Sequence, residues 1–299
     1  MIQIYNNQLS LFLDINNGMS TKAFKMLRDE HWLSIMPDTR SSGCDLPFAN
    51  FLMIPYSNRI EDGQFTFENK NYYLANGESH SIHGDVRNRK WKISEQTTES
   101  ITCTIDTRQN KHINWPWDFC AKAIFKLDGL ALHMQLSITN VSTTNMPAGL
   151  GWHPYFNRKI TSDDEPVLLH FPLKGVYPDV HNTRIPSGPI APLDYHQNFD
   201  PERELFQENL LDLCYHGFSG GSITWPKSRL RLNISANDTC QHLIIYNPTE
   251  ADYFAIEPVS NANNGVNLFS QGDQTSGIKV LTPQDTLTAT CLLQLEEYK

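Results

Sequence analysis

The chain lacks the markers of several large protein classes, and each absence narrows what it does. Its six cysteines, Cys44, Cys103, Cys120, Cys214, Cys240 and Cys291, form no CxxC pair and no dense cluster. Neither a zinc site nor a disulfide scaffold is indicated. No window approaches the roughly 18 consecutive apolar residues that a membrane-spanning helix needs. Basic residues are in the minority, 24 Lys and Arg against 33 Asp and Glu, giving a net charge of −9 in 299 residues. A nucleic-acid partner needs a concentrated positive surface, so neither nucleic acid nor membrane is an expected partner. The opening Met1-Ile2-Gln3-Ile4-Tyr5 has no basic stretch leading into an apolar run and a small-residue cleavage site. The expectation is a cytoplasmic protein.

Familiar catalytic loops are missing too. There is no GxGxxG and no GKS or GKT, and Ser219-Gly220-Gly221-Ser222 lacks a GxSxG elbow. Dinucleotide enzymes, NTPases and serine hydrolases therefore lack their usual signals. A glycosidase would want two carboxylates facing the scissile bond. Here one late glutamate, Glu257, is accompanied by histidines instead.

Helical periodicity is scarce, with one short helix predicted between Pro201 and Leu213, where Leu205, Leu210 and Leu213 fall near a common face. Period-two alternation dominates. From Phe119 to Leu127 apolar residues occupy alternate positions, Asp128-Gly129 supplies a two-residue turn, and the alternation resumes from Leu130 to Ile138. This predicts a long hairpin. Similar runs cover 101–105, 230–234 and 287–295. Many strands separated by Asn, Gly, Pro and Asp clusters predict an all-β protein, a large antiparallel β-sandwich or barrel with few short helices. No linker or charge block divides the chain, no fixed-period repeat suggests a regular propeller, and residues 177–199 read as a long loop within one domain spanning 1–299.

Three segments combine titratable side chains with constrained backbone. In Gly151-Trp152-His153-Pro154-Tyr155-Phe156-Asn157 the histidine precedes proline, which pushes it toward extended geometry, and aromatic rings flank it. Those rings offer flat faces to a sugar, with polar handles on Tyr155 and Asn157. In Phe254-Ala255-Ile256-Glu257-Pro258 an acid ends an apolar run and also precedes proline. Preorganised groups of this kind suit acid/base catalysis. In Ser79-His80-Ser81-Ile82-His83-Gly84-Asp85 two histidines stand three apart. On an extended strand that offset sends them to opposite faces, so no metal site is expected and His83 is the one assigned to a cleft.

Together these segments resemble the aldose 1-epimerase (mutarotase) family, whose fold is the galactose mutarotase-like supersandwich. Pro55-Tyr56-Ser57-Asn58-Arg59-Ile60 resembles the family's Asn-Arg-Ile stretch, His83-Gly84 followed by Trp91 its His-Gly stretch, and Gly151 to Asn157 its His-x-Tyr-Phe-Asn signature. Leu211-Asp212 with Gly217-Phe218 resembles the segment of a sugar-binding aspartate, Ile256-Glu257 the strand of the catalytic glutamate, and Leu281-Thr282-Pro283 the closing element. The resemblance implies a cofactor-independent isomerase of free aldoses, monomeric or homodimeric, whose partner is a small sugar. It makes Glu257 the general base at the anomeric hydroxyl and His153 the general acid at the ring oxygen. His83 would assist both, while Asn58, Arg59, Tyr155 and Asp212 would bind hydroxyls.

Two features depart from the family pattern. Asp85 replaces a frequent second glycine, and Arg87, Arg89 and Lys90 follow it. The family's glutamine on the strand before the glutamate has no clear counterpart, although Gln241 and His242 lie nearby. Two alternatives follow: an epimerase of a phosphorylated or sulfonated sugar, with Arg59 or the Arg87–Lys90 run supplying the anion site, and a carbohydrate-binding or sensing module without turnover.

Overall fold

The computed structural model describes residues 1–298. Its backbone is organised around two large antiparallel sheets. One has nine strands, in the order Phe199–Glu204, Leu168–Phe171, Gly221–Trp225, Leu230–Ala236, Thr286–Glu297, Ala131–Asn140, Phe119–Asp128, Ser100–Asp106 and Lys92–Gln96. The other runs Gly175–Val176, Leu211–His216, His242–Asn247, Tyr253–Val259, Gly151–Trp152 and Leu52–Met53, with Tyr155–Asn157 also paired to Tyr253–Val259. A four-stranded sheet of residues 2–34 and two short ribbons complete it.

Alternation explains the layering. Phe119, Ala121, Ala123, Phe125 and Leu127 are buried, as are Leu132, Met134, Leu136 and Ile138 across the hairpin, while their neighbours face outward. The same core takes Leu243, Ile245, Phe254, Ile256 and Trp152 from the second sheet. Two sheets thus share one apolar interior, as a sandwich requires. The hairpin turn is shifted by one residue from the sequence expectation: Asp128 pairs with Ala131, so Gly129 and Leu130 form the turn. Gly129 has φ +55°, a value natural for glycine.

The helix expected between Pro201 and Leu213 is absent. That segment splits into strand Phe199–Glu204, paired with Leu168–Phe171, and strand Leu211–His216, paired with His242–Asn247. Leu205 and Leu211 are buried at separate places while Leu210 lies exposed, so sheet pairing overrode a chance helical spacing. The α-helix among the described residues is Gly265–Ser270. None is long and apolar enough to cross a membrane.

Period two also builds the outer face of the second sheet. Leu243, Ile245, Ile256, Trp152 and Phe156 point into the shared core. Their alternates Tyr246, Glu257, His153 and Tyr155, joined by Asp212 opposite Tyr246, point the other way. The side chains marked as candidates for the site therefore collect on one face because their neighbours are needed in the core.

Candidate active site

Seven residues that the sequence marked for catalysis or sugar binding line one cleft, whereas Asn157, read as a polar handle for the sugar, turns elsewhere and donates its side-chain amide to the Ser34 carbonyl at 2.8 Å. Asn58, Arg59, His83, His153, Tyr155, Asp212 and Glu257 enclose about 210 Å³ together with Ile82 and Tyr246. Typical drug-sized sites occupy about 300–1,000 Å³, so this one suits something smaller. Volume does not pick it out, since a hollow of 410 Å³ lies beside Asn76, Arg89 and His112. What distinguishes the cleft is its chemistry.

Its centre is a contact of 3.1 Å between His153 Nε2 and Glu257 Oε1. Both side chains are almost wholly buried, at 6% and 1% exposure. The backbone sets this up: the His153 N–H is shared between the Phe51 carbonyl at 3.0 Å and Asn50 Oδ1 at 3.1 Å. The imidazole is then clamped between two rings, stacked on Phe51 at 4.5 Å and tilted against Tyr155 at 4.6 Å. Such packing removes rotamer freedom and water together.

Burial decides the protonation of the pair. It pushes the Glu257 carboxyl well above the ordinary carboxylate range, with the charge on Asp212 adding to it. Burial also pulls His153 down to about 3. Both shifts favour uncharged forms, as expected where solvation is poor. A neutral acid beside a neutral imidazole holds as many protons as a carboxylate beside an imidazolium. One proton moving across the 3.1 Å contact converts the first state into the second.

His83 approaches edge-on, its ring centroid 5.2 Å from that of His153 and 5.1 Å from that of Phe51. Burial, then the neighbouring His153, holds it well below an ordinary histidine. It sits at φ +69° and donates its N–H to the Asn58 carbonyl at 2.6 Å, and Asn58 itself sits at φ +55°. Strained backbone of this kind persists only where surroundings enforce it. Gly84 is part of that enforcement, because a Cβ there would stand 2.2 Å from the Ile54 carbonyl oxygen. His80, the other histidine of the pair, points elsewhere and accepts a hydrogen bond from the Asp62 N–H at 3.0 Å. Among the described residues no cluster of His, Cys, Asp and Glu is arranged to hold a metal.

At the far wall Asp212 is bonded to Arg184, whose Nε lies 2.8 Å from its carboxylate. Arg184 comes from the 177–199 loop, and that loop thus contributes to the site. Several buried polar atoms here have no partner among the described residues: Asn58 Oδ1, Arg59 Nε, His83 Nδ1, His153 Nδ1, Glu257 Oε2 and Asn263 Oδ1. Each costs about 1–3 kcal/mol unless bonded. A polyhydroxylated ligand offers both donors and acceptors to such a set.

Comparison with known proteins shows the family and the fold. The sequence model of the family described as aldose 1-epimerase matches residues 29–294. The chain belongs to that family. Within reach of this aldose 1-epimerase relative is YihR of Escherichia coli K12, itself uncharacterized, 26% identical over 241 residues that cover 75% of each chain. The plasmid-encoded LacX of Lactococcus lactis is 27% identical over 220 residues, 68% of this chain and 71% of its own. Among solved structures, a galactose mutarotase-like protein from Clostridium acetobutylicum superposes with TM-score 0.85 at 19% identity, covering 99% of this chain and 95% of that one. Another from Lactobacillus casei gives 0.81 at 15%, covering 99% and 100%. The galactose mutarotase-like fold is thereby shown.

Sequence reasoning missed some contributors to this epimerase-family cleft. Phe51, Tyr246 and Arg184 carry no motif, and a pairing partner in the fold was needed to find each. Neither candidate for the missing glutamine reaches the cleft. Gln241 is exposed, while His242 is buried behind it with Nδ1 3.1 Å from the Ser260 carbonyl oxygen. On that strand Tyr246 is the residue facing Asp212. Asp85, in the place of a family glycine, binds Arg89.

Proposed function

We propose that this protein is an aldose 1-epimerase that interconverts the α and β anomers of a free hexose or related aldose. The observation that carries the reading is the buried His153–Glu257 contact inside a cleft rimmed by hydrogen-bonding groups. Glu257 as carboxylate takes the proton of the anomeric hydroxyl while His153 as imidazolium gives one to the ring oxygen. The bond between C1 and the ring oxygen breaks and C1 becomes an aldehyde carbon. The protein pair is then left as carboxylic acid and neutral imidazole, the forms that burial favours. Rotation about the C1–C2 bond presents the other face, and the two protons return as the ring recloses. Asn58, Arg59, His83, Tyr155 and Asp212 hold the remaining oxygens.

General acid/base catalysis contributes on the order of 10²–10⁴-fold per group. The test is NMR exchange or optical rotation of freshly dissolved α-sugars, with wild type, Glu257→Gln and His153→Asn. The expected result is acceleration across part of a sugar panel and a loss of at least about 100-fold in each variant. A wild type that accelerates no sugar, or variants that match it, removes the proposal.

A further inference from the structure

The basic run after His83-Gly84 is divided by the fold into residues with different fates. Arg89 is saturated: it grips both oxygens of Asp85 and donates to the carbonyls of Lys111, at 3.1 Å, and His112, at 2.7 Å. It is a staple of the loop, and Lys90 is exposed beyond it. Arg87 differs. It is half-buried, its guanidinium lies 5.8 Å from the centroid of the Phe51 ring, and among the described residues it has no ion pair or side-chain hydrogen bond. Phe51 is also the ring on which His153 stacks, so this cation stands one aromatic ring from the acid/base pair.

Its surroundings leave that charge uncompensated. Arg87 borders the 410 Å³ hollow, which adjoins the catalytic cleft across Ile82, a residue lining both. The carboxylate in that hollow, Asp85, is already taken by Arg89. In the cleft, Asp212 is taken by Arg184. A half-desolvated guanidinium without a counter-charge is costly on its own and binds an anion through charge-assisted, often bidentate hydrogen bonds.

We propose that Arg87 is the anion-recognition residue of this enzyme, and that its aldose carries a compact anionic group which projects past Ile82 onto the guanidinium. This deepens the epimerase reading and rests on it. A phosphate, a sulfonate or a carboxylate presents the same oxygen geometry to arginine.

The experiment compares anomer exchange by NMR for a neutral aldohexose and for derivatives bearing phosphate, sulfonate or carboxylate at the end remote from C1. Wild type, Arg87→Gln and Arg87→Lys are measured at low and high salt. The readout is the ratio of kcat/KM for the charged sugar to that for the neutral one, so any loss of folded protein cancels within each variant. One charged sugar at least is expected to lead the neutral one by about tenfold or more, chiefly through KM. That lead falls close to parity in Arg87→Gln, is partly restored in Arg87→Lys, and shrinks with salt. Whichever derivative leads identifies the group. Neutral and charged sugars turned over alike, or a lead unchanged in Arg87→Gln, overturns the assignment and leaves the epimerase standing. No acceleration of any sugar removes both.

Discussion

His153 stands directly across the sheet from Glu257. Gly151 pairs with Val259 and Tyr155 pairs with Ala255, so the register between them sets His153 against Glu257. At that point the ladder is interrupted by Pro154, whose carbonyl accepts from the Ile256 N–H at a long 3.3 Å. Each of the two residues precedes a proline, and their side chains meet at 3.1 Å. A cross-strand pair is the closest side-chain relationship that a sheet offers. Here it brings an acid and a base together on the face turned away from the core.

Activity is expected to hold over a broad pH range. Catalysis needs one titrating proton on the pair, whose apparent pKa values belong to both members. His153 is held down to about 3 by burial, so the second proton goes on only below the usual histidine range and the acid limb lies below 6.5. Glu257 is held well above an ordinary carboxyl, so the last proton leaves late and the alkaline limb is displaced upward. The kcat/KM profile, corrected for buffer-catalysed exchange, should be flat across neutrality. A narrow bell centred near pH 5.5 would contradict it.

Phe51→Leu is expected to lower kcat about tenfold with little change in KM. The substitution removes the ring stacked on His153 and the edge contact to His83, an aromatic contribution of about 0.5–1.5 kcal/mol per pair plus lost positioning. It also lets water approach the imidazole. The pKa of His153 then rises toward its ordinary value, and the acid limb of the profile moves to higher pH. A purely structural role for Phe51 would lower the amount of active protein and leave the limb where it was.

Arg184→Gln should act mainly on binding. The Asp212 carboxylate loses the guanidinium 2.8 Å away and faces the cleft without it. An increase in KM of about tenfold is expected, with a smaller change in kcat. Initial-rate measurements on the best sugar of the panel decide this.

Gly84→Ala should destabilise the fold by about 2 kcal/mol or more, read as a shift of the urea midpoint. Its φ of +65° disfavours any side chain, and the new Cβ would meet the Ile54 carbonyl oxygen at 2.2 Å. Because Gly84 holds His83 in place, the folded fraction should also lose activity.

The sequence was informative wherever a property repeats along the chain. Alternation in 119–138 specified the hairpin and its buried face, and collinear motifs marked every polar residue later found in the cleft except Tyr246. The segment 201–213 was misread because a few leucines mimic a helical stripe when their strand partners, 168–171 and 242–247, are not in view. Phe51, Tyr246 and Arg184 escaped for the same reason, since each matters through a neighbour distant in the chain.

Composition and period by themselves indicated an all-β sandwich or barrel, and motif order added a resemblance to the aldose 1-epimerases with a histidine and a glutamate each set before a proline. Only the tertiary structure decided that the two meet, that burial favours the uncharged form of each, and that Arg89 is bound while Arg87 has no ion pair among the described residues. Those properties depend on distance and solvation across a sheet, and neither is written in the local pattern of a strand.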